Sequence, residues 1–132
     1  MLRLILCEFA TGHQDGTFTI VRGGIEHIDT PSLPTIVQLY VLAEAEPNTL
    51  GGGAVQLELR VEFAGTAVAV VQGFGLAVDP KRVARFCLPV QVPAAAYGSY
   101  VYSVKVGTEV GSTTLEVRPP SAPASVAPPS AS

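Results

Sequence analysis

Nine consecutive residues, Val55-Gln56-Leu57-Glu58-Leu59-Arg60-Val61-Glu62-Phe63, alternate apolar and polar without a break. A helix would scatter both classes around its circumference, whereas an extended strand sorts them onto two faces. Val55, Leu57, Leu59, Val61 and Phe63 form a dry face, and Gln56, Glu58, Arg60 and Glu62 a wet one. That division belongs to an antiparallel sheet with water on one side only. The dry face then demands a second apolar layer to cover it.

The rest of the chain supplies that layer in the same period. Phe86, Leu88, Val90 and Val92 alternate with Arg85, Cys87, Pro89 and Gln91. Pro89 cannot donate to a ladder, which places its strand at an edge or a bulge. Residues 2–9, 17–22, 35–46, 66–76, 100–106 and 113–117 read as further strands, most of them separated by Gly or Pro. About eight short strands with regular turn signals predict an all-β, two-sheet antiparallel β-sandwich, immunoglobulin-like or jelly-roll-like. One helical turn is expected at Asp79-Pro80-Lys81-Arg82-Val83, where Asp precedes Pro at a first helical position. The expected core comprises Leu4, Leu6, Phe18, Ile20, Leu39, Leu57, Leu59, Val61, Phe86, Leu88 and Leu115.

With 132 residues the chain makes one domain and buries roughly two thirds of its unfolded surface, so it needs no metal or disulfide to fold. The domain is expected to occupy residues 1–118. Residues 119–132, PPSAPASVAPPSAS, carry no charge and little to bury, and are expected to form a flexible tail.

Several function classes fall away. Eight basic residues spread thinly in a chain of net charge −3 make no basic stripe for nucleic acid. No apolar stretch approaches the about 20 residues that span a bilayer. The opening MLRLILCEFA has too short an apolar core for a secretion signal, and Leu6 stands before Cys7 where a lipoprotein signal needs a small residue. A cytoplasmic location is expected. Cys7 and Cys87 sit inside apolar runs as buried free thiols, with a disulfide left open should their strands be neighbours.

The run CEFATGHQDGTFTIVRGG, residues 7–24, gathers a cysteine, two acids, a histidine and four glycines. Gly12, Asp15 and Gly16 are turn formers, so the run reads as a β-hairpin with His13 and Asp15 on an exposed loop. A metal site would have to recruit His27 and Asp29 from a distance, and two isolated cysteines make no zinc pattern. There is no G-x-S-x-G elbow, and Gly51-Gly52-Gly53 lacks the Lys-Ser/Thr of a phosphate loop. Lys81, Arg82 and Arg85 form the densest basic cluster and are the candidate anion contact, set against a plain solvated turn. Tyr97, Tyr100 and Tyr102 suggest either a ligand pocket or core packing with hydroxyls at the rim. No catalytic residue, cofactor or metal is expected.

The first 45 residues carry a resemblance. An apolar strand ends in Cys7-Glu8-Phe9-Ala10, a Gly-containing turn follows, and then come Phe18-Thr19-Ile20-Val21-Arg22-Gly23-Gly24-Ile25 and a strand led by Pro31 and Pro34. This resembles a family of small, functionally uncharacterised bacterial proteins. In those, Asp-Tyr is commoner where Glu8-Phe9 stands, and the Pro-rich tail is particular to this chain. The resemblance implies a bacterial β-sandwich and carries over no catalytic residues.

The expected function is a non-enzymatic protein-binding or assembly module that self-associates, with a small-ligand sensor or carrier holding a pocket between the sheets as the alternative. A hydrolase or metal enzyme ranks third. Only 14% of the residues are charged while 48% are hydrophobic, so some apolar surface is left to be covered. Strict alternation places Val68 and Val70 inside and Ala67, Ala69 and Val71 outside. Leu2, Leu4 and Leu6 likewise leave Ile5 and Cys7 outside. Were these strands neighbours, Ile5, Cys7, Ala67, Ala69 and Val71 would form one apolar patch for a homo-oligomer. The competing expectation is that a short helix or loop of the same chain covers it.

Overall fold

The computed structural model describes residues 2–12, 18–47, 53–78, 81 and 83–120, and the side chains of all these except 12, 18, 53–55 and 74–78. Nine strands follow in order: β1 (Leu2–Gly12), β2 (Phe18–Gly23), β3 (His27–Asp29), β4 (Thr35–Ala45), β5 (Gly53–Phe63), β6 (Thr66–Val78), β7 (Ala84–Ala94), β8 (Gly98–Val106) and β9 (Glu109–Arg118). They form two sheets, β2-β1-β4-β7 and β3-β9-β8-β5-β6. Every pairing is antiparallel except that of β3 with β9. The protein is a two-sheet β-sandwich.

The topology selects between the two expected kinds of sandwich. The chain crosses between sheets after β2, β3, β4, β6 and β7, while β5 with β6 and β8 with β9 are hairpins within one sheet. The orders β1-β4-β7 and β9-β8-β5-β6 match A-B-E and G-F-C-C′ of an immunoglobulin-type sandwich. No strand takes the place of D beside β7 among the described residues, and β2 flanks β1 instead. Tyr100, near the start of β8, donates its hydroxyl to the Ala96 carbonyl oxygen at 2.8 Å. A hydroxyl reaching a few residues back from the start of the strand in the F position is the corner that ties this crossover down in such folds.

The core is the layer between the sheets. Leu6, Val41, Val90 and Val92 from one sheet meet Leu59, Val61, Tyr100, Tyr102, Val104, Val106, Leu115 and Val117 from the other, each almost wholly buried. Phe63 stacks on Tyr100 at the end of this layer, ring centroids 4.6 Å apart, and its edge lies where a side chain on Gly98 would stand. The two sheets meet backbone to backbone where β1 crosses β9. A Cβ on Gly111 would collide with the Leu2 carbonyl oxygen, so only glycine lets the two backbones touch there.

The structure amends several expectations. Leu4, Phe86 and Leu88 border the core as half-buried residues, Ile20 is 42% exposed, and the Phe18 side chain lies outside the described residues. The expected helical turn falls mostly outside them too, at 79, 80 and 82, as do residues 121–132 of the expected tail. β3 went unpredicted because three residues show no period; its pairing with β9 is a tertiary event. The strand of Pro89 is indeed an edge among the described residues, where β7 pairs with β4 alone.

Two substitutions test this packing. Gly111→Ala should cost about 1–3 kcal/mol in chemical denaturation, the usual penalty of an overpacked contact; a loss under about half a unit would mean that β1 and β9 part freely. Tyr100→Phe should cost about 1 kcal/mol, because it removes one hydroxyl bond and leaves the Ala96 carbonyl without its donor.

Candidate interaction surface

Each sheet has a second face, and the two are finished differently. The outer face of the five-stranded sheet is largely polar. Glu58 and Arg60 lie on it 3.4 Å apart, Ser99 donates to Glu116, and Arg118 meets Asp29 at 3.5 Å. The outer face of the four-stranded sheet carries Ile5, Cys7, Tyr40, Leu42 and Cys87, which together with Ala10 form a second, smaller apolar cluster.

What covers that cluster is the chain itself. Past Cys7 the pairing of β1 with β4 ends, while that of β1 with β2 continues. The Cys87 thiol, two strands away from β1 in the sheet, donates to the Ala10 carbonyl oxygen at 3.4 Å. Phe9 packs edge-on against Tyr40, with centroids 5.1 Å apart. Ile20 reaches to 3.0 Å from the position a Cβ on Gly23 would take, and lines a depression with Ile5, Leu42, Glu44 and Arg85. The outer half of the β1–β2 hairpin therefore folds over the face of its own sheet. Arg22 at φ 51° and Gly24 at φ 82° make the sharp turn where β2 leaves for β3, and the Arg22–Glu8 ion pair at 3.0 Å closes across the hairpin.

This arrangement divides the expected interface residues. Cys7 is fully buried beneath the hairpin and is no contact residue; Ile5 is half-buried beside it. β1 and β6 lie in different sheets, β1 against β9 and β6 against β7, so the five residues form no common patch. On β6 the faces are also reset. The register runs Glu62↔Ala67 and then Val61↔Ala69, leaving Val68 as an extra, bulged residue. From there Ala69 and Val71 point inward, opposite Val61 and Leu59, and pack against the core. Ala67 stays exposed, and Val70, expected inside, is 47% exposed opposite Arg60. The signal was Gln72: a polar residue two positions from Val70 marks the outer face for both.

Of the expected anion contact, Lys81 and Arg85 lie among the described residues. Arg85 binds the Glu44 carboxylate at 2.8 Å, and Arg3 approaches the same carboxylate at 3.8 Å. Lys81 is an exposed turn residue and Arg82 lies outside the described residues. His27 and Asp29 share the exposed side of β3, with Asp29 engaged by Arg118. Among the described residues no group of three or more His, Cys, Asp or Glu comes together to hold a metal. No helix of the described residues is long and apolar enough to cross a membrane. Tyr100 and Tyr102 are core residues, and burial, with Tyr100 adding to it, pushes the Tyr102 hydroxyl far up. Tyr97 is exposed and donates to the Thr30 carbonyl at 3.0 Å.

Sequence reasoning missed the exposed residues of the hairpin. Phe9, Ile20 and Val21 are 41%, 42% and 40% exposed, with Phe9 and Val21 directly opposite each other. Their sequence signal was an apolar count in β1 and β2 larger than one buried face can take. No family model matches this chain, and no curated protein matches it either.

Both thiols are free, as Cys7 on β1 and Cys87 on β7 have β4 between them. Two strand spacings separate their Cα atoms by about 10 Å, beyond the about 7 Å a disulfide spans. Burial raises both above the ordinary thiol value of 9.0, and for Cys87 the neighbouring Cys7 adds to the rise. The unfolded chain therefore gives up these protons at lower pH than the folded one, and stability falls as pH rises past that value. Urea denaturation at about pH 8 and about pH 10 should show wild type losing more stability over the interval than the Cys7→Ala, Cys87→Ala double variant. Equal losses would show that the fold does not hold the thiols protonated.

Proposed function

We propose that the chain is a non-enzymatic binding and assembly module of the bacterial cytoplasm, which associates with itself. The observation that carries this reading is the apolar exposure of one hairpin, where Phe9 and Val21 on one face and Ile20 on the other are each about two-fifths exposed. Fully burying one such side chain is worth about 1.5–3 kcal/mol, and soluble monomers seldom leave several of them together in water. Ile36 at 60% and Val70 at 47% add to the apolar surface. A ligand carrier with its pocket between the sheets draws less support, because Tyr100 and Tyr102 fill that space as core. The fold itself selects no function.

The reading is tested on the full chain by sedimentation equilibrium across micromolar concentrations. The expected result is a mass at least twice the 13.7 kDa of one chain, rising with concentration. A mass of one chain throughout would remove self-association from the reading.

A further inference from the structure

A sandwich of two open sheets has four edge strands, and here they are treated unequally. β7 carries Pro89 and Pro93, both exposed, so two of the N–H groups that an added strand would need are absent from that edge. β3 is three residues long. β2 is six residues long, and it ends in the ion-paired Arg22 at positive φ and Gly23. β6 has none of these protections. It is thirteen residues long, TAVAVVQGFGLAV, with no charge and no proline, and among the described residues pairs on one side only, with β5.

Proteins ordinarily blunt such an edge with lysine, proline, an inward-pointing charge or a bulge. β6 keeps two register shifts, one at Val68 and one where Val55↔Leu76 gives way to Leu57↔Gly73. Between them the ladder is regular over residues 69–73. In that stretch Val70 and Gln72 lie exposed on the outer face, and Ala69, Val71 and Gly73 are half-buried on the inner one. A Cβ on Gly73 would have nothing within 4 Å, so the inner layer is open at this edge.

We propose that β6 pairs antiparallel with β6 of a second copy of this chain, joining the two five-stranded sheets into one continuous sheet about a two-fold axis. The proposal rests on the reading of the chain as self-associating and names the route. An antiparallel pair of identical strands is self-complementary, so one two-fold axis satisfies both edges and closes the assembly at two copies. Centred on Val71, the pairing sets Val70 opposite Gln72 of the second copy and Ala69 opposite its Gly73. No side chain of β6 is charged, so no like charges meet along the seam, although each chain has net charge −3. One strand back on β5, Glu58 and Arg60 pair with each other. Of the exposed apolar residues behind the self-association reading, this dimer covers Val70, and it leaves the hairpin on the other sheet free.

Sedimentation equilibrium of the full-length wild type, Val70→Lys, Gln72→Lys and Val21→Lys decides the matter, with circular dichroism confirming the fold of each. A lysine on the edge strand brings like charges to the seam and should raise the dimer dissociation constant by about tenfold or more. Gln72→Lys exchanges one exposed polar side chain for another and keeps the test open should Val70→Lys fail to fold. The expected result is a wild-type dimer, weakened by the two β6 variants and untouched by Val21→Lys. If the wild type is a dimer that Gln72→Lys and Val70→Lys leave intact, edge pairing is wrong and self-association stands. An assembly that grows beyond two copies overturns the two-fold pairing. A wild type that is a single chain at all concentrations overturns both the pairing and the reading beneath it.

Discussion

The molecule depends on one layer of side chains, the apolar sheet between its two sheets of backbone. Leu59, Val61, Tyr102 and Val104 on one side and Leu6, Val41, Val90 and Val92 on the other are removed almost completely from water. A strand offers only alternate residues to such a layer, so each buried position commits its neighbours to the opposite face. Every other feature of the protein is a way of dealing with those opposite faces and with the strand edges.

The two outer faces receive opposite solutions. On the five-stranded sheet the alternate residues are mostly polar and meet water, helped by ion pairs such as Arg60–Glu58 and Arg118–Asp29, each partly exposed and individually weak. On the four-stranded sheet Ile5, Cys7, Tyr40, Leu42 and Cys87 make part of that face apolar, beside the Arg85–Glu44 ion pair, and the β1–β2 hairpin bends back to cover Cys7, Leu42 and Cys87. The cover is itself apolar on its outer side. Burial is thereby passed outward by one layer, to Phe9 and Val21, rather than completed.

Legibility along the chain follows from period and length. β4, β5, β7 and β8 could be read because nine or more residues alternate, or nearly so, with turn residues between them. β3 could not, because three residues have no period and their pairing with β9 joins segments distant in sequence. The faces of β6 were misread for a related reason. Alternation counted from Thr66 runs through Val68 as though it occupied a ladder position, and a single bulged residue inverts all that follows. Ile20 was assigned to the core since it alternates with Phe18, whereas it lies on the hairpin that folds over the outer face. The partner of Arg85 was likewise out of reach of a local reading: Glu44 is 41 residues from it in sequence and directly opposite it in the sheet.

By itself the sequence determined the architecture: two antiparallel-rich sheets with a dry layer between them, Pro89 at an edge, and a hairpin between the first two strands. These follow from local chemistry, because side-chain alternation and the missing proline N–H act within a few residues of where they are written. Only the tertiary structure decided the immunoglobulin-type order of the strands, the separation of β1 from β6, the burial of Cys7 and the exposure of Val70. Each of those depends on which strands become neighbours and where a ladder gains a residue. Pairings over long sequence separations set both, and no stretch of alternating residues records them.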